Sequence, residues 1–389
     1  MKRYSEYKDS GVKWIGEIPK HWKRIKLKFL TDSMQSGTNL TSFQIQETGR
    51  YPVLGGNGIR GYYDKFNCDK ECIVIGRQGA LCGNVHIIKE KFWATDHAVV
   101  TFSNDLTDIN FLYYLCNAMN LNQYASQTAA QPGLAVSTIK NIYTSLPPLF
   151  EQQEIASYLD NKVSKIDKYI STAEKKIAAL DELKQVTIAD AVTHGINPNA
   201  PMKDSGIPWI GMVPEHWGSR SLSQIASEQN LSNKGMINDN LLSLSYGRII
   251  RKSMDSANGL LPASFETYQV INNGNIILRF TDLQNDHKSL RVGLVKEEGI
   301  ITSAYTCITP KKSVLSEYLY FLLHSADIKK VFYGMGGGLR QNLNYAEFRK
   351  LRLMIPPLSE QNEIVTYIDH KVAQIEKIRV SELAQIEKL

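Results

Sequence analysis

Two segments of this 389-residue chain occur twice, and this repetition constrains its fold more than any other feature. The sequence LPPLFEQQEIASYLDNKVSKIDK at 146–168 returns as IPPLSEQNEIVTYIDHKVAQIEK at 355–377, with thirteen of twenty-three positions identical. The sequence YKDSGVKWIGEIPKHW at 7–22 returns as MKDSGIPWIGMVPEHW at 202–217, with ten of sixteen identical. The offsets are 209 and 195, so the segment between the two motifs is 14 residues longer in the second copy. An internal duplication of this kind predicts two similar structural units.

Each copy of the longer repeat predicts a long helix that follows a Pro-Pro pair. Proline disfavours helix in the residue before it, so residues 146–149 should be extended and the helix should begin near Glu151. Apolar residues then recur at alternating steps of four and three, which indicates a coiled-coil seam. The seam residues are Leu159, Val163, Ile166, Ile170, Ala173, Ile177 and Leu180 in the first helix and Ile364, Ile368, Val372 and Ile375 in the second. Gly195 and Pro198 should end the first helix.

The variable segments between the repeats read as mixed α and β structure. Runs rich in β-branched residues predict strands at 71–76, 97–102, 241–250, 275–280 and 304–309. Helical apolar spacing predicts helices at 110–120 and 316–325. Four of the five tryptophans lie in the short repeated arms, where we expect them to dock each arm onto a neighbouring element rather than to stack on bases.

Composition and motifs give little support to an enzyme. The net charge of +6 allows a polyanionic partner without requiring one. No run of 18 apolar residues predicts a membrane span. Residues 56–61 spell GxGxxG, but no helical periodicity follows, and a dinucleotide site needs a helix there. The spacing of Cys68, Cys72, Cys82 and His86 fits no common zinc site.

The two motifs together resemble those of a known family. The arm KDSGxxWIGxxPxHW and the helix start PPLxEQxEIxxYxDxKV each occur twice, in the same order as in the specificity (S) subunit of type I restriction-modification systems. The resemblance covers the whole chain. It implies an α+β fold in which two mixed α/β target recognition domains are separated by two long antiparallel helices. These helices would form a coiled coil, and the internal repeat would give a pseudo-two-fold arrangement.

On this resemblance we expect four segments in the chain. They are a first recognition domain with its arm at 1–146, a first long helix at 147–197, a second recognition domain with its arm at 198–355 and a second helix at 356–389. The second helix lacks a counterpart of residues 181–195.

The resemblance also implies a function and partners. Each recognition domain would read one half of an asymmetric, bipartite target in double-stranded DNA, and the helices would set the spacer between the halves. Two modification (methyltransferase) subunits would dock on the chain and methylate adenine with S-adenosylmethionine, and restriction subunits would bring ATP and Mg²⁺. The chain itself would be a non-catalytic, cytoplasmic prokaryotic protein without a cofactor of its own.

Candidate base-reading residues come from the glycine-rich loops and the predicted strand ends. Arginine suits guanine, and asparagine or glutamine suits adenine, because each can make paired hydrogen bonds to the base edge. The candidates are Asn57, Arg60, Arg77 and Gln78 in the first domain and Ser245, Tyr246, Arg248, Arg279, Arg340 and Gln341 in the second. Contacts to phosphate alone, or a role in capping turns, remain alternatives for each of them.

Two other functions remain open on the sequence. The chain could be an independent DNA-binding or regulatory protein that uses this fold without an enzyme, and capture of a methyltransferase from the native host would separate that case. It could also hide an enzyme of unknown type in the variable segments, which tight binding of S-adenosylmethionine by the chain alone would support.

Overall fold

A computed structural model describes residues 4–126, 132–252, 264–283, 290–335 and 342–389. Contacts divide the chain into a first unit, Met1–Tyr169, and a second unit, Ile170–Leu389. Within the described residues, no helix is long and apolar enough to cross a membrane. The same residues contain no group of three or more His, Cys, Asp or Glu side chains that could hold a metal ion.

The first unit contains four small sheets and two short helices, and its end forms the start of a long helix. Its strands are β1 (Tyr7–Asp9), β2 (Glu17–Pro19), β3 (Lys23–Lys26), β4 (Thr31–Ser36), β5 (Tyr51–Gly55), β6 (Gly58–Tyr63), β7 (Cys72–Gly76), β8 (Val85–Ile88), β9 (Trp93–Ala94), β10 (Ala98–Ser103) and β11 (Tyr143–Leu146). Its helices are α1 (Ile109–Ala118), α2 (Val136–Asn141) and the first part of α3 (Leu149–His194). Short 3-10 turns lie at Leu27–Leu30, Ser42–Gln44 and Leu121–Tyr124.

The second unit repeats this plan in the same chain order. Its strands are β12 (Met202–Asp204), β13 (Met212–Pro214), β14 (Gly218–Ser221), β15 (Ala226–Gln229), β16 (Leu231–Ser232), β17 (Leu242–Ser245), β18 (Arg248–Arg251), β19 (Gln269–Ile271), β20 (Ile276–Leu278), β21 (Val292–Leu294), β22 (Gly299–Ile301), β23 (Thr306–Pro310) and β24 (Arg352–Ile355). Its helices are the rest of α3, α4 (Leu222–Ile225), α5 (Ser316–Ile328), α6 (Tyr345–Phe348) and α7 (Leu358–Ile386). A 3-10 turn lies at Val331–Gly334.

Sheet topology confirms that the two units share one fold. A four-stranded sheet has the order β4-β10-β7-β8 in the first unit and β15-β23-β20-β21 in the second. A two-stranded ribbon pairs β3 with β11 in the first unit and β14 with β24 in the second. In the first unit the apolar face of the large sheet packs on α1, as buried Ile73, Ile75 and Leu112 indicate. In the second unit the same role falls to α5, where Leu319 and Leu322 are fully buried.

Most of the predicted elements exist, and one of them is wrong. The predicted strand at 241–250 is a hairpin of β17 and β18, because the chain reverses at Tyr246 and Gly247. Both residues have positive φ, 44° and 75°, which is the backbone that a two-residue hairpin turn requires. Glycine adopts it at little cost, whereas tyrosine does so rarely. The turn was not predicted because the residues on either side of it, LLSLS and RII, resemble one continuous strand. Its first residue, Tyr246, is also not a usual turn former.

The two repeated motifs meet in space, which explains why they occur together. In the first unit the carboxylate of Glu151, at the start of α3, accepts hydrogen bonds from Tyr4 Oη (2.7 Å) and Trp22 Nε1 (2.9 Å), and His21 Nε2 lies 2.6 Å away. In the second unit Glu360 has the equivalent contacts with His216 Nε2 at 2.6 Å and Trp217 Nε1 at 3.1 Å. The arm tryptophans Trp22 and Trp217 therefore dock on the helix starts, as predicted.

The glutamine that follows each of these glutamates is fully buried and ties three chain segments together. Gln152 accepts a hydrogen bond from Asp108 N (2.9 Å) and donates to the carbonyls of Leu106 (2.9 Å) and Pro147 (3.0 Å). Gln361 makes the same three contacts in the second unit, with Leu315 N and the carbonyls of Ser313 and Pro356. The repeated Glu-Gln pair is therefore engaged in internal contacts in both units.

The long helices match the predicted pair in the second unit. Helix α3 has 46 residues and ends at His194, and Gly195 follows with φ 76°. Its last half runs antiparallel to α7, because Lys184 contacts Glu376 at 2.7 Å while the earlier Lys176 contacts the later Glu382. In α7 the predicted seam residues Ile364, Ile368 and Ile375 are buried.

The early part of the first predicted seam differs from this pattern. Val163, which belongs to the first unit, is 41% exposed, whereas Ala173 in the second unit is buried. A heptad pattern identifies residues that can pack against a second helix. It does not fix where along α3 such a partner lies.

Candidate nucleic-acid interface

Two glycine-rich loops of the first unit lie against each other and bring two of its four candidates, Asn57 and Gln78, to neighbouring loops. The turn between β5 and β6 carries Asn57, and the loop after β7 carries Gln78; both side chains are exposed. The backbones of the two loops are in close contact. A Cβ added at Gly76 would lie 1.8 Å from Gly56 O, and one added at Gly56 would lie 2.9 Å from Gln78 O. Glycine is required at these positions by packing, and the result is a compact platform of exposed amides.

Within this platform the side chain of Asn84 completes a polar cluster that sequence reasoning missed. Asn84 Nδ2 donates to Asn57 Oδ1 at 2.7 Å, and both residues are exposed. Arg60 is exposed on β6, and its aliphatic stem lies over Gly55, where an added Cβ would lie 2.4 Å from Arg60 Cδ. Asn84 is the last residue of the glycine-rich loop 76–84. Its amide side chain in that loop could therefore have been included among the candidates from the sequence.

Arg77 has a different environment from the other three candidates. It is half-buried, and its Nη1 donates to Ser36 Oγ at 3.0 Å and to the carbonyl of Asp96 at 3.5 Å. Its backbone carbonyl also accepts from Leu134 N at 2.8 Å. These contacts favour the alternative role in which the arginine holds neighbouring loops in place. Base reading by Arg77 stays a prediction.

In the second unit three candidates lie at the tip of one hairpin. Ser245 and Arg248 are a register pair that flanks the turn, and Tyr246 at the tip is 74% exposed. The carbonyl of Gly247 accepts a hydrogen bond from Tyr320 Oη of α5 at 3.4 Å, and this bond connects the hairpin tip to α5. The exposed ring of Tyr246 can stack on a base, and the exposed guanidinium of Arg248 next to it can contact a phosphate.

Arg279 lies at the end of β20 and is half-buried, and its backbone N donates to the carbonyl of Arg291 at 2.9 Å. Arg291 was not predicted. Its side chain is fully buried and donates to the carbonyls of Arg279, Thr281 and Asp282 at 3.3, 2.8 and 3.1 Å. Arg291 therefore supports the strand end from which Arg279 projects. The remaining candidates, Arg340 and Gln341, lie outside the described residues.

Ionisable groups in the helix pair and in the arm have pKa values shifted from their ordinary ranges. The hydrogen bond from Lys184 lowers the pKa of Glu376 below its ordinary value. Burial opposes ionisation of Glu151, but the hydrogen bonds from the arm outweigh it, so the pKa of Glu151 is also lowered. The bond to that carboxylate raises the pKa of Tyr4 to about 12. These shifts reflect structural contacts, and the positive charge of Arg248, a candidate at the hairpin tip, also contributes to the lowered pKa of Glu376.

Comparison with known proteins gives a consistent family. A family model described as type I restriction modification DNA specificity domain matches residues 19–180 and again residues 214–388. The EcoprrI specificity subunit of Escherichia coli is 36% identical over 203 residues, and that match spans 47% of this chain and 47% of the relative. The MjaVIII specificity subunit of Methanocaldococcus jannaschii is 22% identical over 413 residues, which cover 98% of this chain and 93% of the relative.

Solved structures agree at the level of the fold. A chain from a structural study of complex assembly and conformational transition in a type I R-M system superposes with a TM-score of 0.66 at 13% identity, with 95% of both chains covered. The HsdS subunit from Thermoanaerobacter tengcongensis superposes with a TM-score of 0.51 at 14% identity, again with 95% of both chains covered. With two matched domains, two copies of one fold and duplicated helices, the chain belongs to the type I restriction modification DNA specificity domain family.

Proposed function

We propose that this chain is the DNA-reading subunit of a type I restriction-modification complex and is not itself catalytic. Each variable domain reads one half of a bipartite target, and because the loop platform of the first unit and the hairpin tip of the second differ in residues, the two half-sites differ in sequence. The observation that carries this proposal is the exposed, hydrogen-bonded pair of Asn57 and Asn84 on two loops packed against each other, with exposed Gln78 on one loop and exposed Arg60 on the adjoining strand. Side chains held in this way lose little conformational freedom when they bind a base edge.

Base reading by Arg60 has a matched control in the same sheet. Arg50 is also exposed and precedes β5, and because Arg60 lies opposite Val53 and Leu54, Arg50 is about 12 Å from it along the strand direction at the rise of a strand. We expect Arg60→Ala to weaken binding to the target duplex by about 1–3 kcal/mol and to relax the preference at one base pair. Arg50→Ala should change binding to target and random duplexes by the same small amount. Equal losses on both duplexes for Arg60→Ala would reassign Arg60 to a phosphate.

The second part of the proposal is that two methyltransferase subunits dock on equivalent helix surfaces. Residues retained in both repeats are explained by packing where they are buried, but some retained residues are exposed. Tyr158 and Tyr367 are 45% and 38% exposed, and the ammonium groups of Lys162 and Lys371 each lie 5.6 Å from the ring of the preceding tyrosine. Exposed tyrosines are typical anchors of protein interfaces.

Native mass spectrometry of the chain with its methyltransferase tests this surface. Two subunits should bind the wild type, one should bind Tyr158→Ala or Tyr367→Ala, and none should bind the double variant. Phe150→Ser is the control, because Phe150 is 70% exposed yet its repeat counterpart is Ser359. A wild type that saturates with one subunit, or a double variant that still binds two, would contradict this part of the proposal. S-adenosylmethionine would bind on those subunits, and ATP with Mg²⁺ on restriction subunits.

The third part is that the helices set the spacer between the half-sites. Four residues add about 6 Å to a helix, which corresponds to one or two base pairs of duplex. Insertion of four residues near Ala173 in α3 and near Glu382 in α7 should lengthen the methylated spacer by that amount and leave both half-sites unchanged. The control inserts the same four residues between α3 and β12, where they lengthen the linker but no helix. An unchanged spacer after the helix insertion, with full activity, would refute the helical ruler.

A further inference from the structure

The same two-stranded ribbon carries an exposed basic surface in each unit. In the first unit the ribbon pairs β3 with β11, and in the second it pairs β14 with β24. Each ribbon leads directly into a Pro-Pro pair and a long helix. Neither ribbon contains any of the candidate base-reading residues.

In the first unit the cations lie mainly on the first strand. The first ribbon patch consists of Lys23, Arg24, Lys26, Lys28 and Lys140. The guanidinium of Arg24 lies 4.2 Å from the ring centroid of Tyr143, which is 41% exposed, and Lys26 Nζ lies 5.2 Å from the same ring. Arg24 and Tyr143 line one cleft of about 620 Å³ together with Asn141.

In the second unit the cations lie mainly on the last strand. The second ribbon patch consists of Arg220, Arg349, Lys350 and Arg352, all exposed. Arg352 Nη2 donates to Ser219 Oγ at 2.9 Å. Arg352, Ser219 and Lys350 line a cleft of about 470 Å³. By the repeat offsets these three residues occupy the positions of Tyr143, Arg24 and Asn141, so the two clefts share these three equivalent positions.

Both patches are positively charged, but the cations lie on different strands of the ribbon in the two units. The first strand and its turn carry four cations in the first unit and one in the second, whereas the last strand and its approach carry one and three. Neither patch segment contains an acidic residue, and the nine cations exceed the net charge of +6 of the whole chain. Among the described residues, no carboxylate forms an ion pair with any member of either patch.

We propose that the two ribbon patches bind phosphates of the DNA backbone beside the half-sites. This inference rests on the proposed function, because it supposes that each unit lies on duplex DNA. A protein partner requires a complementary surface. A surface of that kind would have the same residues at the same positions in both repeats, as the exposed tyrosines of the helices do. A duplex backbone is a continuous row of negative charges, so it rewards positive charge on the surface and tolerates its exchange between neighbouring strands.

The test compares three full-length proteins, each assembled with its methyltransferase. One carries Arg349→Gln, Lys350→Gln and Arg352→Gln. The second carries Arg24→Gln, Lys26→Gln and Lys28→Gln. The control carries Lys234→Gln, Lys252→Gln and Lys296→Gln, which are exposed cations elsewhere in the second unit. Binding to target and random duplexes is measured over a range of salt concentrations.

Each lost phosphate contact should reduce the slope of log K against log salt by about 0.9, so each patch variant should lose about 2–3 in slope. The loss should be the same on target and random duplexes, and the ratio of the two affinities should not change. The control should keep the wild-type slope to within about 0.5.

Three results would overturn the inference. They are an unchanged slope in both patch variants, an equal loss in the control, and a loss of methyltransferase assembly with DNA binding intact, which would assign the patches to an acidic protein surface. The salt slope can be measured on random duplex alone. The experiment therefore tests phosphate binding by the patches even if the wild type shows no preference for a target sequence. Absence of that preference would count against the proposed function instead.

Discussion

Replacement of Gln152 by methionine separates the structural role of the repeated helix start from any role in binding. Methionine has nearly the same length and volume as glutamine, so the packing of this fully buried side chain is retained while its hydrogen bonds are lost. The three lost bonds join Gln152 to Asp108 N and to the carbonyls of Leu106 and Pro147. At about 1 kcal/mol for each bond, the expected loss is about 3 kcal/mol, and unpaired buried carbonyls add to it.

The neighbouring residue supplies a control of the same type. Gln153 is exposed on the next position of α3, so Gln153→Met should change stability by less than about 0.5 kcal/mol. The second unit offers a parallel pair in Gln361→Met, which is buried, and Asn362→Met, which is exposed. Agreement between the two units would show that the helix start has one structural role in both repeats.

Hydrogen exchange followed by mass spectrometry suits this prediction because it reports on each unit separately. A loss of about 3 kcal/mol corresponds to about a 100-fold fall in protection of the slowest amides. That fall should occur in β7 and β10 for Gln152→Met and in β20 and β23 for Gln361→Met. Equal protection in Gln152→Met and Gln153→Met would refute the reasoning, since the three hydrogen bonds would then contribute nothing to stability.

Two further predictions concern charge. Because the pKa of Glu151 is held below its ordinary value, its contribution to stability should be complete above about pH 5 and should disappear as the pH falls through the lowered pKa. Acid unfolding of wild type and Glu151→Gln should therefore converge at low pH, and a gap that persists there would contradict this. Arg291→Met should cost about 3 kcal/mol, because three backbone carbonyls lose a charged donor. It should also lower exchange protection in β20 and β21, and unchanged protection would rule out the buried support of Arg279.

The sequence predicted the duplication, the long helices and the family, because these depend on periodicity and on motifs that are local in the chain. The hairpin at Tyr246 was missed because its turn lacks the usual residues and its flanks alternate like a single strand. The buried Arg291 was also missed, since arginine is rarely buried without partners, and its partners include backbone carbonyls and the hydroxyl of Tyr333, which no sequence pattern reveals.

The ribbon patches illustrate a second limit. The basic runs at 23–28 and 349–352 are visible in the sequence, but each aligns with a segment of low charge in the other repeat. Only the pairing of β3 with β11 and of β14 with β24 brings the two runs to equivalent surfaces. For the exposed tyrosines the opposite holds, since alignment shows that they are retained and only the structure shows that they are not buried.

Methylation of the native host genome tests the central claim most directly. Single-molecule sequencing should find one bipartite, asymmetric motif with methylated adenines that is lost when this chain is deleted. Replacement of residues 218–354 by the corresponding segment of another family member should then change one half of the motif and leave the other half intact. A genome whose methylated motifs are the same with and without the chain would contradict its assignment as the DNA-reading subunit.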